Sequence, residues 1–506
     1  MRLRSRLLGI LMLVILVAAV GATWLAMQRQ WPAALAGFVA KTACGGIFIA
    51  GRSADEAIRE DLLSLSAVMR LIDIAVDSEN QRVSASMPGA GTRHALWRPG
   101  RGCVLLPPNE VPEIAMLANA DEPTPTAAGL TGAAANLRSE RLQPPDTPWP
   151  QGSGPLPREQ WPAKVRAAML DDAIAHAFTR PSMSSVRPGA PTGNGQGTRA
   201  VLVVHRGRLL AERYAPGFDA HTPHLGWSMA KTVIGVLAWA RLQSQAIDLR
   251  TPVVELVNRV PRPQWAGEWQ RDERATITID QLMTMFDGLA HPPDGSWLQT
   301  DLPRMLWVSG NVGRFAGERT LDHPPGSYWR YASPVSNLLS RVLRDQFASH
   351  EDYLNFPYQA LFDPIGALSA TFESDDAGNL IGSSYLWASP QDWARLGWLL
   401  ANDGLWQGQQ VFPAGWRDYA SAARHDADGR LSPYGAQVWL AANNPALGCA
   451  ADRPLPADSL IATGVWGQVM AMFPQRQTVI LRLGWKPADD PEPPCRLLTD
   501  ILAALP

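Results

Sequence analysis

Gly226-Trp227-Ser228-Met229-Ala230-Lys231-Thr232-Val233-Ile234-Gly235-Val236-Leu237-Ala238-Trp239 decides how the rest of the chain is read. The apolar run from Thr232 predicts a buried helix, and positions three apart on a helix share a face, so the Lys231 amine reaches the Ser228 hydroxyl. A serine hydroxyl is a weak nucleophile until a neighbouring base takes its proton, and a lysine does so only as the free amine. Upstream, Ala200 to His205 and Arg208 to Tyr214 read as a hairpin turning at Arg206-Gly207. Ser228 therefore stands where a chain returning from a sheet enters a helix. First-turn amides are unpaired there and favour negative charge, which suits an oxyanion. The plain alternative is a serine cap on a buried helix with the lysine reaching out to solvent, since a bare Ser-x-x-Lys also arises by chance.

Two further elements bear on that choice. Pro324-Pro325-Gly326-Ser327-Tyr328-Trp329-Arg330-Tyr331-Ala332-Ser333 is a Pro-Gly turn that brings Tyr331 to the start of a helical pattern through Asn337, Leu338, Leu339, Val342 and Leu343. Thr463-Gly464-Val465-Trp466-Gly467-Gln468 precedes an apolar strand, Val469 to Phe473, and glycines there let a substrate approach the backbone.

With these three elements in this order the chain resembles the Ser-x-x-Lys serine hydrolases, the family of serine β-lactamases, penicillin-binding DD-peptidases and related esterases, and is most similar to the 6-aminohexanoate-dimer hydrolase type. Ile277 to Leu289, Asp392 to Gly397, Asn402-Asp403-Gly404 and Gln407-Gly408 extend the likeness, which covers Trp161 to Pro506. The resemblance implies an α/β (α+β) β-lactamase-like fold, an antiparallel sheet flanked by helices plus a mainly helical subdomain at about 248–401. It implies Ser228 as nucleophile, Lys231 as base and Tyr331 as proton relay. The oxyanion would rest on the amides of Ser228 and Gln468, with Gly467, Trp466, Ser333 and Tyr385 beside the substrate and no cofactor or metal. Ser333 stands third in the family's Tyr-x-Asn element, and Trp466-Gly467-Gln468 stands where β-lactamases carry Lys-Thr-Gly. Without that lysine a substrate carboxylate lacks a cationic partner, so small uncharged amides or esters are expected as substrates. A DD-peptidase or β-lactamase, and a non-catalytic peptide-binding sensor, are the competing readings.

Arg2, Arg4 and Arg6 precede an apolar stretch from Leu7 to Met27, long enough at about 1.5 Å per residue to span a bilayer core of about 30 Å. Positive charge before it puts the body outside the cytoplasm. The expectation is an inner-membrane anchor with a periplasmic enzyme; cleavage after Val20-Gly21-Ala22 would instead release it. Four cysteines suit an oxidising compartment, and Cys44 with Cys103 and Cys449 with Cys495 is the pairing that keeps each bridge inside one unit. Lys and Arg number 45 against 47 Asp and Glu without a basic run, so nucleic acid is not an expected partner.

The chain divides into an anchor (1–30), a small module (31–117), a Pro/Ala-rich linker (118–158) and the hydrolase body (159–506). In the module, Ser53-Ala54-Asp55-Glu56 matches a capping box, and Ile72 to Asp77 with Arg82 to Met87 reads as a hairpin. It carries no catalytic constellation and reads as a folded spacer or packing module. The histidines His205, His224, His291, His323 and His425 are scattered and form no triad, although His224 is near enough to Ser228 to line a cleft. Trp227, Trp329, Trp387 and Trp466 lie close to the catalytic elements and offer walls for an apolar acyl group.

Overall fold

A computed structural model describes residues 31–87, 91–108, 148–179, 197–258, 262–292, 301–441, 447, 449, 452–485 and 494–506. The Leu7 to Met27 stretch and most of the linker lie outside them. Helix α1, Trp31–Ile49, leads into α2, Ala54–Ala57, whose Ser53 and Glu56 form the expected capping box. A four-stranded antiparallel meander follows: β1 (Asp73–Asp77), β2 (Arg82–Met87), β3 (Gly91–Arg98) and β4 (Gly102–Leu105). The Cys44–Cys103 disulfide ties α1 to β4, with Cα atoms 6.0 Å apart.

The hydrolase body begins with α3 (Ala167–Thr179), β5 (Thr198–His205), β6 (Arg208–Tyr214), the short β7 (His224–Leu225) and α4 (Met229–Ser244). Then come α5 (Ile279–Thr284), α6 (Ser333–Arg344), β8 (Thr371–Phe372), β9 (Leu386–Ala388) and α7 (Pro390–Ala401). Strands β10 (Trp439–Leu440), β11 (Leu460–Gly464), β12 (Gln468–Phe473) and β13 (Thr478–Gly484) return to the first hairpin, and α8 (Cys495–Ala504) closes the chain. The main sheet runs β10-β11-β12-β13-β5-β6, every pair antiparallel. The fold is therefore the mixed α/β, β-lactamase-like arrangement expected. Cys449 joins Cys495 at the start of α8, as the pairing anticipated.

Side-chain alternation builds the two layers. In β5 and β13 every residue is buried, as central strands covered on both faces must be. Val201, Val203, Ile461, Val469, Ala471 and Ile480 face α3 and α8, whereas Leu202, Val204, Ala462, Met470, Met472 and Leu481 face α4 and α7. Helix α4 is apolar on nearly all sides because it runs through the middle of that second layer. The last part of the expected linker is not free: Trp149 is buried in this core, and Arg395 of α7 donates to the carbonyls of Pro150 and Gly152.

The N-terminal module shares an apolar cluster with the body rather than standing off from it. Ala36, Phe38, Val39 and Ala40 of α1 pack with Leu225, Trp227, Trp307, Tyr385, Trp387 and Trp485. Helix α1 has the length and mean hydropathy (1.5) of a membrane span, but two thirds of it is buried against the rest of the protein. Lys41 donates to Glu373 and to the Cys103 carbonyl, and both charged side chains are inaccessible to solvent. Removing one partner of a buried pair strands the other charge. Lys41→Met should therefore lower stability by about 3–5 kcal/mol, and the double variant Lys41→Met/Glu373→Gln should regain part of that loss in a thermal melt.

Candidate active site

Strand β7 delivers the chain to Ser228, which stands at the N-terminus of α4. The approach is tight. A Cβ on Gly226 would lie 2.2 Å from the Trp393 ring, so only glycine lets the backbone pass there. Trp227 then takes a left-handed backbone, φ +47°, a conformation that a bulky residue keeps only when its surroundings hold it. The Ser228 side chain makes no capping bond to the helix, and Lys231 is fully buried. Both observations remove the plain alternative of a capping serine and a solvent-seeking lysine.

Lys231 Nζ lies 3.0 Å from Ser228 Oγ, 3.0 Å from Ser333 Oγ and 2.9 Å from the Ser383 carbonyl oxygen. No carboxylate is within ion-pair distance of it among the described residues. Burial without a counter-charge disfavours the ammonium and pushes its pKa from 10.5 down to about 7. The geometry fits the free amine: a carbonyl only accepts, so one N–H points to Ser383, a second goes to Ser333, and the lone pair is left for the Ser228 hydroxyl. Helix α6 places Ser333 at its first position, and a bond between Asn337 Nδ2 and Ser383 Oγ at 3.1 Å fixes the segment carrying the Ser383 carbonyl.

Tyr331 comes to the same place from the Pro-Gly turn. Its ring centroid is 5.1 Å from Lys231 Nζ. The ring stacks on Trp439 at 4.9 Å and meets Tyr434 edge-on at 5.4 Å, so its position is set by aromatic packing. Trp439 belongs to β10, which covers β11 only at Leu460 and Ile461.

The third expected element, Thr463 to Gln468, spans the end of β11, a turn at Val465 to Gly467 and the start of β12. Gly464 packs against the segment just before Ser228: a Cβ on it would lie 2.3 Å from the Gly226 carbonyl oxygen. Gln468 is paired with Gly464 from the far side, and its carboxamide is bonded to the backbone of Gly484, accepting from the amide at 3.0 Å. Trp466, φ +62°, packs on Trp227, Trp485 and Phe38. Gly467 lies behind it, its carbonyl accepting from Arg482.

Tyr385 also leaves the cleft. It is fully buried, its hydroxyl accepts from the Trp307 indole at 2.7 Å, and Lys41 sits over its ring. His224 lines a small cavity with Arg52, Asp61 and Arg199, which burial and the two guanidiniums keep it from sharing as a cation. Residues that sequence reasoning missed are Ser383, Trp439 and Tyr434. Ser383 acts through its backbone, which no side-chain motif reveals. Among the described residues no group of three His, Cys, Asp or Glu side chains is arranged to hold a metal ion.

The family profile described as Beta-lactamase matches residues 172–493. A 6-aminohexanoate-dimer hydrolase of Paenarthrobacter ureafaciens is 23% identical over 309 residues, which is 58% of this chain and 74% of that protein. Among solved structures, a family VIII carboxylesterase aligns over 68% of this chain and 97% of its own with 13% identity and a TM-score of 0.49. A penicillin-binding protein homologue from Caulobacter crescentus aligns over 70% and 99%, with 14% identity and a TM-score of 0.48. The profile match extends over more than half of the chain, from within α3 nearly to α8, and the chain therefore belongs to the Beta-lactamase family of serine hydrolases.

Proposed function

We propose that this protein is an exported, membrane-anchored hydrolase that cleaves amide or ester bonds of small linear substrates through an acyl-Ser228 intermediate. The observation that carries the reading is a buried lysine amine, with no counter-charge among the described residues, 3.0 Å from a serine hydroxyl that serves no structural bond. Lys231 takes the hydroxyl proton as Ser228 Oγ attacks the carbonyl carbon. The negative charge that develops is met by the Ser228 amide and by the amide of Val465, the turn residue after Gly464, which packs against Gly226, in place of that of Gln468. Tyr331 passes a proton to the leaving amine or alcohol, and water then attacks the acyl-serine with Lys231 again as acceptor.

Two features support the substrate class. The stretch Leu460 to Gly467 contains no Lys, Arg or His, so the strand beside Ser228 offers a carboxylate no fixed cation. The name of the Paenarthrobacter relative specifies a 6-aminohexanoate dimer as what that protein acts on. Two disulfides support an oxidising compartment, and the Leu7 to Met27 stretch supplies the anchor.

Mass spectrometry of the protein quenched during turnover of a p-nitrophenyl ester tests the intermediate; an adduct on any residue other than Ser228 sinks the scheme. The specificity is tested separately. The ratio of kcat/KM for a short p-nitrophenyl ester over a cephalosporin is expected to exceed about 100. A preference for the cephalosporin would replace the subclass with a β-lactamase and leave the roles of Ser228 and Lys231 standing.

A further inference from the structure

The side chain next to Ser228 in the chain is held by packing alone. Trp227 is 3% exposed and left-handed, and its indole N–H has no hydrogen-bond partner among the described residues. What keeps it in place is a set of rings: Trp466 perpendicular at 4.9 Å, Tyr385 at 5.6 Å and Trp485 at 6.2 Å. Two of the three are themselves braced from α1. Phe38 meets Trp466 at 5.9 Å, and it meets Trp307 at 5.0 Å, whose indole N–H donates to the Tyr385 hydroxyl. Phe38 is 1% exposed, so no solvent fills the space it occupies.

We propose that Phe38 is a positioning residue for the nucleophile. Resting on the acyl-Ser228 reading, the argument is that Phe38 fixes Trp466 directly and Tyr385 through Trp307. Those two rings hold Trp227 in its left-handed conformation, and that conformation sets Ser228 Oγ at 3.0 Å from Lys231 Nζ. An unfavourable backbone conformation persists only while its neighbours over-determine it. Deleting one ring from this set lets the Trp227 backbone relax and moves the hydroxyl off the amine. The N-terminal helix is thus part of the catalytic apparatus, although none of its side chains reaches the reacting atoms.

The test uses the full chain and three variants: Phe38→Ala, Phe38→Leu, and Val39→Ala as a neighbour on the same helix that is equally buried but contributes no ring to the stack. For a p-nitrophenyl ester, Phe38→Ala should lower kcat of the folded protein by about 10- to 100-fold with KM within about twofold, the cost expected of a misplaced nucleophile. A fluorophosphonate should label Ser228 more slowly by the same factor. Phe38→Leu, which refills most of the volume, should fall in between, while Val39→Ala should lower the melting temperature and leave kcat of the folded fraction unchanged. Wild-type kcat and labelling rate in Phe38→Ala, or an equal kcat loss in Val39→Ala, would overturn the proposal. If Phe38→Ala does not accumulate, Phe38→Leu carries the test, and an unchanged labelling rate in it has the same force. A wild-type protein that the fluorophosphonate does not label at Ser228 fails at the earlier step, and the acyl-serine reading falls with it.

Discussion

Ser228→Ala should abolish ester and amide hydrolysis, a loss of at least about 10,000-fold in kcat/KM, while the melting temperature stays within a few degrees of wild type. The two halves of that expectation come from one geometry. Ser228 Oγ receives the Lys231 amine at 3.0 Å and makes no helix-capping bond, so its removal deletes the atom that forms the acyl bond and little else. The residue is only partly buried, and alanine leaves no cavity of consequence. Circular dichroism and a thermal melt check the fold, and steady-state hydrolysis checks the chemistry. Turnover at the wild-type rate would show that the nucleophile is elsewhere.

Lys231→Arg and Lys231→Met should each cost roughly 1,000- to 100,000-fold in kcat/KM. Arginine keeps its proton and is no base, so conserving the charge rescues nothing. Titration supplies the finer test. The amine of the folded protein loses its proton near pH 7, so wild-type activity should rise as pH increases through about 7 and fall away below it. Stability is tied to the same group with a definite sign. Between about pH 7 and 10.5 the unfolded chain holds a proton on Lys231 that the folded protein does not, so stability gains with rising pH across that window. Lys231→Met should flatten this slope when denaturation midpoints are compared at pH 6.5 and 9. An unchanged slope would mean that the buried amine is not the group that titrates.

What the sequence made legible was whatever depended on local spacing. A spacing of three positions from Ser228 to Lys231 implies a shared helical face, and the helix puts Oγ and Nζ 3.0 Å apart. Capping at Ser53 and the hairpin at Arg206-Gly207 were equally local. How the third element folds was less legible: the pairing of Gly464 with Gln468 across the turn Val465 to Gly467 divides it between β11 and β12, which apolar run length does not reveal. The resemblance placed Tyr385 beside the substrate, yet the chain between Ile381 and Leu386 turns its side chain inward to Trp307. The union of the small module with the hydrolase body was out of reach, because Phe38 and Lys41 find partners hundreds of residues away that no periodicity connects to them.

That union fixes the order in which the molecule can be completed during synthesis. The Trp485 indole donates to the Asp61 carbonyl across a sequence separation of 424, and Phe38 waits for Trp466. A ribosome therefore releases α1, with its Ala, Phe and Val face, long before the strands that cover it exist. Until the segments that carry Trp227, Trp307 and Trp387 arrive, that face has only the meander and the Cys44–Cys103 link to shelter it, and its contacts with Trp466 and Trp485 wait for β11 to β13. Chains interrupted before residue 460 should accordingly present α1 to chaperones and proteases, and contacts so distant in sequence make the closing step the slow one.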